Sequence, residues 1–328
     1  MKKFIDTPET LLATSLQGFA KAHADLVQLN PNPNFIRRNQ LKSGKVALIS
    51  GGGSGHEPLH SGFVGYGMLD AACPGQIFTS PTPDQMLAAA QAVAGREGVL
   101  FIVKNYAGDV MNFEMAAELL DIPNASVLVC DDVALPKTHS IGRRGVAGTL
   151  IVEKIVGAAA ENGSDLDYCK QLGERVNRVT ASMGVALTSC TVPALGHPTF
   201  LLAEDEIEIG VGIHGEHGRE TGKLRTATEI VELLAGQIQA ELNPSPGQQV
   251  LLHINGFGGT PLVELHLLYE LAWQYWQSRG VIIQRSLVGN YTTSLDMAGA
   301  SLTLTLLDDE MLSLWDAPVN TPALRWGM

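Results

Sequence analysis

The chain has 328 residues, and 22 Lys and Arg against 34 Asp and Glu give it a net charge of −12. That excess of acid excludes general affinity for nucleic acid or anionic membranes. With 45% apolar and only 17% charged residues, the chain has the balance of a folded protein with a large core, not of a disordered one.

The N-terminus reads Met1-Lys2-Lys3-Phe4-Ile5-Asp6-Thr7-Pro8. Acid and proline arrive too early for the apolar core of a signal peptide. Thr7-Pro8 instead caps and opens a helix. Residues 45–50 form a short apolar strand, and the run Gly51-Gly52-Gly53-Ser54-Gly55-His56-Glu57-Pro58 follows it as a loop. Thr82-Pro83-Asp84-Gln85 is a capping box that starts a helix ending near Gly95. Residues 99–104 are the next strand. Asn105-Tyr106-Ala107-Gly108-Asp109 then leads into a helix with Phe113, Ala116, Ala117 and Leu120 on one face. Residues 127–130 are another strand, and residues 145–160 another helix. This alternation predicts a three-layer α/β domain with a mostly parallel sheet.

Beyond residue 180 the pattern changes. Longer, partly alternating strands are expected at 183–187, 206–213, 250–254, 281–287 and 301–307, with helices near 228–242 and 261–277. The fold class is therefore α/β with two domains, an N-terminal α/β domain over 1–180 and a C-terminal α+β domain over 181–328. No run of about 18 apolar residues is present, so no segment is expected to span a bilayer. Cys73, Cys130, Cys169 and Cys190 have no short spacing and read as buried free thiols in a reducing cytosol.

Nucleotide motifs fail on inspection. From Gly51, the third fingerprint glycine falls on His56. Neither Gly44-Lys45 nor Gly222-Lys223 continues to Ser or Thr, and the nucleophile elbow from Gly52 also ends on His56. His56-Glu57-Pro58-Leu59-His60 spells a zinc-peptidase motif. Pro58, however, is tolerated only in a helix's first turn, so the two imidazoles are not expected to share a helical face. Lys104 ends an apolar strand at the edge where open α/β sheets bind ligands. It is either a ligand contact or a surface charge. Asp109 is either a functional carboxylate or a helix N-cap. His214, with Gly212 before it and Gly215 after it, has little local packing; it is either a structural histidine or one exposed to act as a nucleophile or metal ligand. Gly142-Arg143-Arg144-Gly145 either grips a phosphate or compensates Asp131-Asp132. Glu204-Asp205-Glu206 reads as a solvated turn. Trp273, Tyr275 and Trp276 are either core or a partner surface.

Seven segments recur in order in one family: 51–58, 78–83, 104–109, 142–145, 212–216, 293–297 and 314–318. Together they resemble the dihydroxyacetone kinase substrate-binding subunits that work with the phosphotransferase system. The resemblance implies that His214 adds covalently to the ketone carbonyl as a hemiaminal. It implies that Asp109 is the acid/base at the hydroxyl to be phosphorylated, and that His56 hydrogen-bonds the substrate and assists proton transfer. Gly53, Ser80, Lys104 and Asp109 would line the substrate site. It further implies a homodimer that binds no cofactor or metal itself. A separate helical subunit would carry an adenine nucleotide with magnesium, and a phosphotransferase protein would recharge it indirectly. The missing Walker loop agrees with a chain that presents the acceptor.

Two departures stand out. His217 replaces the proline usual in this family, and 219–247 is shorter than in some relatives. The competing expectations are a non-catalytic dihydroxyacetone sensor acting as a transcriptional co-activator, and a metallopeptidase built on His56 and His60.

Overall fold

The protein is described by a computed structural model over residues 2–140 and 142–328. Thr7 accepts the Thr10 backbone N–H at 3.3 Å and Pro8 follows it, which opens α1 (Pro8–Ala22). The capping oxygen thereby takes one of the N–H groups that a helix start leaves unpaired. A hairpin follows, β1 (Val27–Pro31) and β2 (Asn34–Arg38). Then come β3 (Ala47–Ser54), β4 (Ala71–Ile77), α2 (Pro83–Val93), β5 (Val99–Lys104), α3 (Ala107–Glu118), β6 (Asn124–Val129), α4 (Gly148–Glu161) and α5 (Leu166–Arg178).

These strands form one sheet in the order β1-β2-β4-β3-β5-β6. Strands β4, β3, β5 and β6 pair in parallel, and β1 and β2 add an antiparallel edge. Ala47 and Ile49 of β3 join Phe101 and Val103 of β5 in a core closed by Met86, Ala89 and Ala90 of α2 and by Phe113 and Ala116 of α3. Alternate residues face the other way, as the pleat requires. On that side Glu153 of α4 lies beside Ser50 of β3. Gly173 of α5 lies close enough to Val127 of β6 that an added Cβ would come within 2.8 Å. Helices therefore cover both faces, as the sequence predicts.

The second sheet contains β7 (Thr180–Ala186), β8 (Glu206–Ile209), β9 (Glu220–Lys223), β10 (Gln249–Gly256), β11 (Ile282–Gly289) and β12 (Gly299–Leu306). Its order is β11-β10-β12-β7-β8-β9. Only β10 and β11 pair in parallel; the helix α7 (Leu262–Gln277) connects them, and the other pairings are antiparallel. The remaining helix here, α6 (Ala227–Leu242), starts at a Thr226–Glu229 capping box. Val231, Leu234 and Ile238 of α6 pack with Leu265, Ala272 and Trp276 of α7 on Met183, Val185, Ile254, Leu302 and Leu304 of the sheet. Trp276 is thus core, while Trp273 is partly exposed. The chain ends with α8 (Asp309–Asp316), β13 (Val319–Asn320) and β14 (Arg325–Trp326).

Two compact units result. One comprises the chain up to Val129, Thr149–Arg175 and Ser313–Met328; the other comprises Cys130–Gly148 and Val176–Leu312. The chain crosses between them at 129–130, 148–149, 175–176 and 312–313, and none of these crossings carries linker composition in the sequence.

Two local expectations change. First, the glycine run is not a loop: β3 continues through Gly51-Gly52-Gly53-Ser54, entirely buried. A Cβ on Gly51 would come within 2.6 Å of the Cys73 carbonyl oxygen, and one on Gly53 within 2.6 Å of the Thr79 nitrogen. Glycine is what lets these backbones approach. Second, the strand expected over 206–213 stops at Ile209, because Gly210 turns the chain at φ +73°.

No helix among the described residues is long and apolar enough to cross a membrane. All four cysteines are free; Cys73, Cys169 and Cys190 are buried and Cys130 partly so.

Candidate active site

Lys104, the last residue of β5, is fully buried. Its ammonium donates to the Gly51 carbonyl oxygen at 3.1 Å, lies 3.0 Å from His60 Nε2 and lies 3.3 Å from Asp109 Oδ2. A surface charge is therefore excluded. Gly52 makes this possible, since any Cβ there would overlap Lys104 Nζ.

Asp109 is 2% exposed. The cap of α3 is Tyr106, so Asp109 sits inside the first turn and is not the N-cap. The Lys104 ammonium pairs with its Oδ2 inside the protein. Breaking a buried pair of this kind strands the surviving charge, at a cost of about 3–5 kcal/mol.

His56 is fully buried, and its ring stacks on Phe78 at 5.1 Å between centroids and 18° between planes. Phe78 itself adopts φ +55°. A Cβ on Gly108 would meet Ser80 Oγ at 2.8 Å, so Ser80 lies against the start of α3, one residue from Asp109. Gly53 abuts the backbone of Phe78 and Thr79. Gly53, Ser80, Lys104 and Asp109 thus gather around the C-terminal ends of β3 and β5. Glu57 accepts the Gly55 N–H with both carboxylate oxygens at 3.1 Å, and the crowding of the chain around its carboxyl raises its pKa.

Residues 56–60 form turns, not a helix. His60 Nδ1 lies 2.6 Å from Glu153 Oε1 while Nε2 meets Lys104. Both nitrogens are engaged within the protein, which removes the ligand geometry of the peptidase alternative.

His214 lies in the second unit, partly buried, on the loop that follows Gly210. Its backbone N–H donates to Glu216 Oε2 at 2.8 Å. Glu216 Oε1 accepts from Arg144 Nη1 at 3.1 Å, and Arg144 Nη2 donates to the Gly210 carbonyl oxygen at 2.7 Å. Arg144 Nε donates to Asp132 Oδ2 at 2.7 Å. Burial pushes the Asp132 carboxyl up to about 6, opposed by Arg144. A Cβ on Gly212 would overlap the Glu216 carboxylate, and Gly215 turns at φ +70° against Cys190 and Thr199.

The paired arginines therefore compensate charge: Arg143 binds the Leu135 carbonyl oxygen at 2.8 Å and Glu241 at 2.9 Å. His217 is exposed, with its ring 5.0 Å from that of Phe200 and Nδ1 3.4 Å from Glu208 Oε1. Sequence reasoning missed Glu153 and the bracing part of Glu216, and it weighed His60 only as a ligand in the peptidase alternative. The signal for Glu153 was a charge inside an otherwise apolar helical run.

Fold and site together define a two-unit α/β protein with a lysine–carboxylate pair under a glycine-rich strand and a histidine on a braced glycine loop. The Dak1 domain matches residues 17–323, and the chain belongs to that family. It is 47% identical, over the full length of both chains, to the PEP-dependent dihydroxyacetone kinase, dihydroxyacetone-binding subunit DhaK, of Escherichia coli strain K12. Among solved structures it is similar to the dihydroxyacetone kinase operon co-activator Dha-DhaQ, at TM-score 0.91 and 32% identity over 95% of this chain and 98% of that one. It is also similar to the dihydroxyacetone kinase of C. freundii, at TM-score 0.87 and 35% identity over 98% of this chain and 60% of that one. That kinase is also solved in complex with AMP-PNP and Mg2+.

Proposed function

We propose that this chain is the dihydroxyacetone-binding subunit of a multi-component dihydroxyacetone kinase. The observation that carries this reading is the 47% identity, end to end, to a protein of that name. An N-terminal α/β domain, roughly 1–180, supplies the glycine-rich strand and the acid/base residues. A C-terminal domain, roughly 181–328, supplies the covalent histidine.

The chemistry follows from the substrate's size. Dihydroxyacetone offers few groups for hydrogen bonding. A ring nitrogen of neutral His214 adds to its carbonyl carbon, and the carbonyl oxygen takes a proton to give a hemiaminal. Glycerol has no carbonyl and cannot form that bond, so selection rests on the ketone. The bond also fixes a terminal hydroxyl for in-line attack, and positioning is a major part of phosphoryl-transfer catalysis.

Asp109 takes the hydroxyl proton as the new O–P bond forms and the bond from that phosphorus to the nucleotide breaks, which leaves a nucleoside diphosphate on the partner subunit. Lys104 pairs with the Asp109 side chain and positions it, and His56 hydrogen-bonds the substrate and assists the proton transfer. Gly53 and Ser80 shape the pocket. The phosphoryl group comes from an adenine nucleotide with magnesium on a separate helical subunit, itself recharged by a phosphotransferase protein. Lys104 supports that division of labour, since its ammonium is turned to Gly51, His60 and Asp109 and is not offered to a phosphate. We place the working protein in the cytoplasm as a homodimer, with no direct contact to nucleic acid or membrane.

The likeness to Dha-DhaQ supports a second reading, a dihydroxyacetone sensor that acts as a transcriptional co-activator. Reconstitution with a nucleotide-binding subunit and phosphoryl donor decides between them. Turnover to dihydroxyacetone phosphate is the expected result, and ketone binding without turnover is the sensor's signature.

A further inference from the structure

His60 and Glu153 belong to none of the roles above, yet they form a continuous buried chain with Lys104. Their side chains are 4% and 0% exposed, and His60 Nδ1 lies 2.6 Å from Glu153 Oε1. His60 Nε2 lies 3.0 Å from Lys104 Nζ, which is also 3.3 Å from Asp109 Oδ2.

An ammonium has only hydrogens to give. Its contact with Nε2 therefore requires that nitrogen to be a bare acceptor. The single proton of a neutral imidazole then sits on Nδ1 and is donated to Glu153 Oε1. Burial holds His60 well below its ordinary pKa, helped by the charges of Lys104 and His56, so the ring stays neutral in this form. The Lys104 ammonium thus has three acceptors, namely the Gly51 carbonyl oxygen, His60 Nε2 and the Asp109 carboxylate.

We propose that Glu153 and His60 are positioning residues: Glu153 fixes the His60 tautomer, and His60 thereby aims the Lys104 ammonium at Asp109. The proposal rests on Asp109 being the acid/base of phosphoryl transfer. Remove the acceptor at 153, and the ring is free to carry its proton on Nε2. An N–H then points at the ammonium, Lys104 is driven off, and Asp109 loses its counter-charge.

The test compares Glu153→Leu with Glu153→Gln in the reconstituted kinase. Leucine preserves bulk without an acceptor; glutamine restores an acceptor oxygen without a charge. The leucine variant should lose about a hundredfold in kcat with KM for dihydroxyacetone within about twofold, the mark of lost positioning. Glutamine should rescue most of that loss. Nitrogen-15 NMR of the His60 ring in the unmodified protein gives a readout independent of turnover and of how the variants fold. It should show a protonated Nδ1 and a bare Nε2. An Nε2–H tautomer, wild-type kcat in Glu153→Leu, or equal damage from both substitutions would each overturn the proposal. If the unmodified protein does not turn over at all, the kinase reading fails, and the NMR result alone judges the relay.

Discussion

Arg144 Nη1 and Glu216 Oε1 lie 3.1 Å apart, and the other oxygen of that carboxylate accepts the His214 backbone N–H at 2.8 Å. The loop carrying the histidine is therefore braced through one side chain to a guanidinium that Asp132 and the Gly210 carbonyl oxygen already hold. Glu216→Ala removes the acceptor and the pair together. Ketone capture at His214 should weaken by about tenfold, the scale of one charge-assisted hydrogen bond. Titration of the ketone adduct by intact-mass measurement checks this. Unchanged capture would show that the loop holds its shape without the brace.

Arg144→Met acts on the same brace from its buried end and leaves Asp132 without its guanidinium. Its effect should be on folding as well as on capture, with a loss of about 3–5 kcal/mol. Chemical denaturation of the two variants side by side separates brace from scaffold, because Glu216→Ala should cost far less stability than Arg144→Met.

Gly52→Ala places a methyl where Lys104 Nζ now lies. Overpacking of this kind costs about 1–3 kcal/mol. Because the atom displaced is the Lys104 ammonium, turnover should fall by more than the loss of stability accounts for. Melting temperature and kcat, measured on one preparation, check the comparison. Turnover in proportion to the folded fraction would mean that Lys104 tolerates the shift.

Glu153 gives stability a pH dependence. Burial raises its carboxyl from 4.5 to about 8, with Lys104 and Ser50 opposing. Between those values the folded protein keeps a proton that the unfolded chain has released. The folded state binds more protons there, so this group's contribution to stability declines as pH rises across the window. Glu153→Gln carries no such titration. Its stability relative to the unmodified protein should grow from near zero at the acid end to a few kcal/mol at the alkaline end. Denaturant midpoints of both proteins at about pH 5 and pH 9 measure the difference, and a difference constant with pH would contradict it.

Much of the fold is legible where one local signal dominates. The Thr82–Gln85 box starts α2 where expected, and residues 99–104 form β5 as read. Other elements depend on tertiary contacts that no local pattern encodes. Glycines 51–53 signal a loop in isolation, but they form buried strand because Cys73, Lys104 and Thr79 close in on them. The Pro31-Asn32-Pro33-Asn34 run looks like a turn and is one, yet the strands that it joins are too short to stand out. Helix α5 was missed because seven of its thirteen residues, among them Asp167, Lys170, Glu174 and Arg178, are charged or amide-bearing. The site divides the same way. Lys104 and Asp109 are five residues apart and announce each other, whereas His60 and Glu153 are 93 apart and meet only once α4 lies on the sheet.

Asp109→Asn tests the division between binding and chemistry. It should keep ketone capture while losing about 10²–10⁴-fold in phosphoryl transfer, the usual contribution of a positioned acid/base. Capture by intact mass and turnover in the reconstituted system check the two halves, and undiminished turnover would remove Asp109 from the mechanism.

The most direct measurement is a crystal structure of this protein soaked with dihydroxyacetone. The expected result is continuous density from a His214 ring nitrogen to the ketone's central carbon, absent in His214→Ala. A ketone bound elsewhere, or an adduct persisting in the alanine variant, would contradict the account.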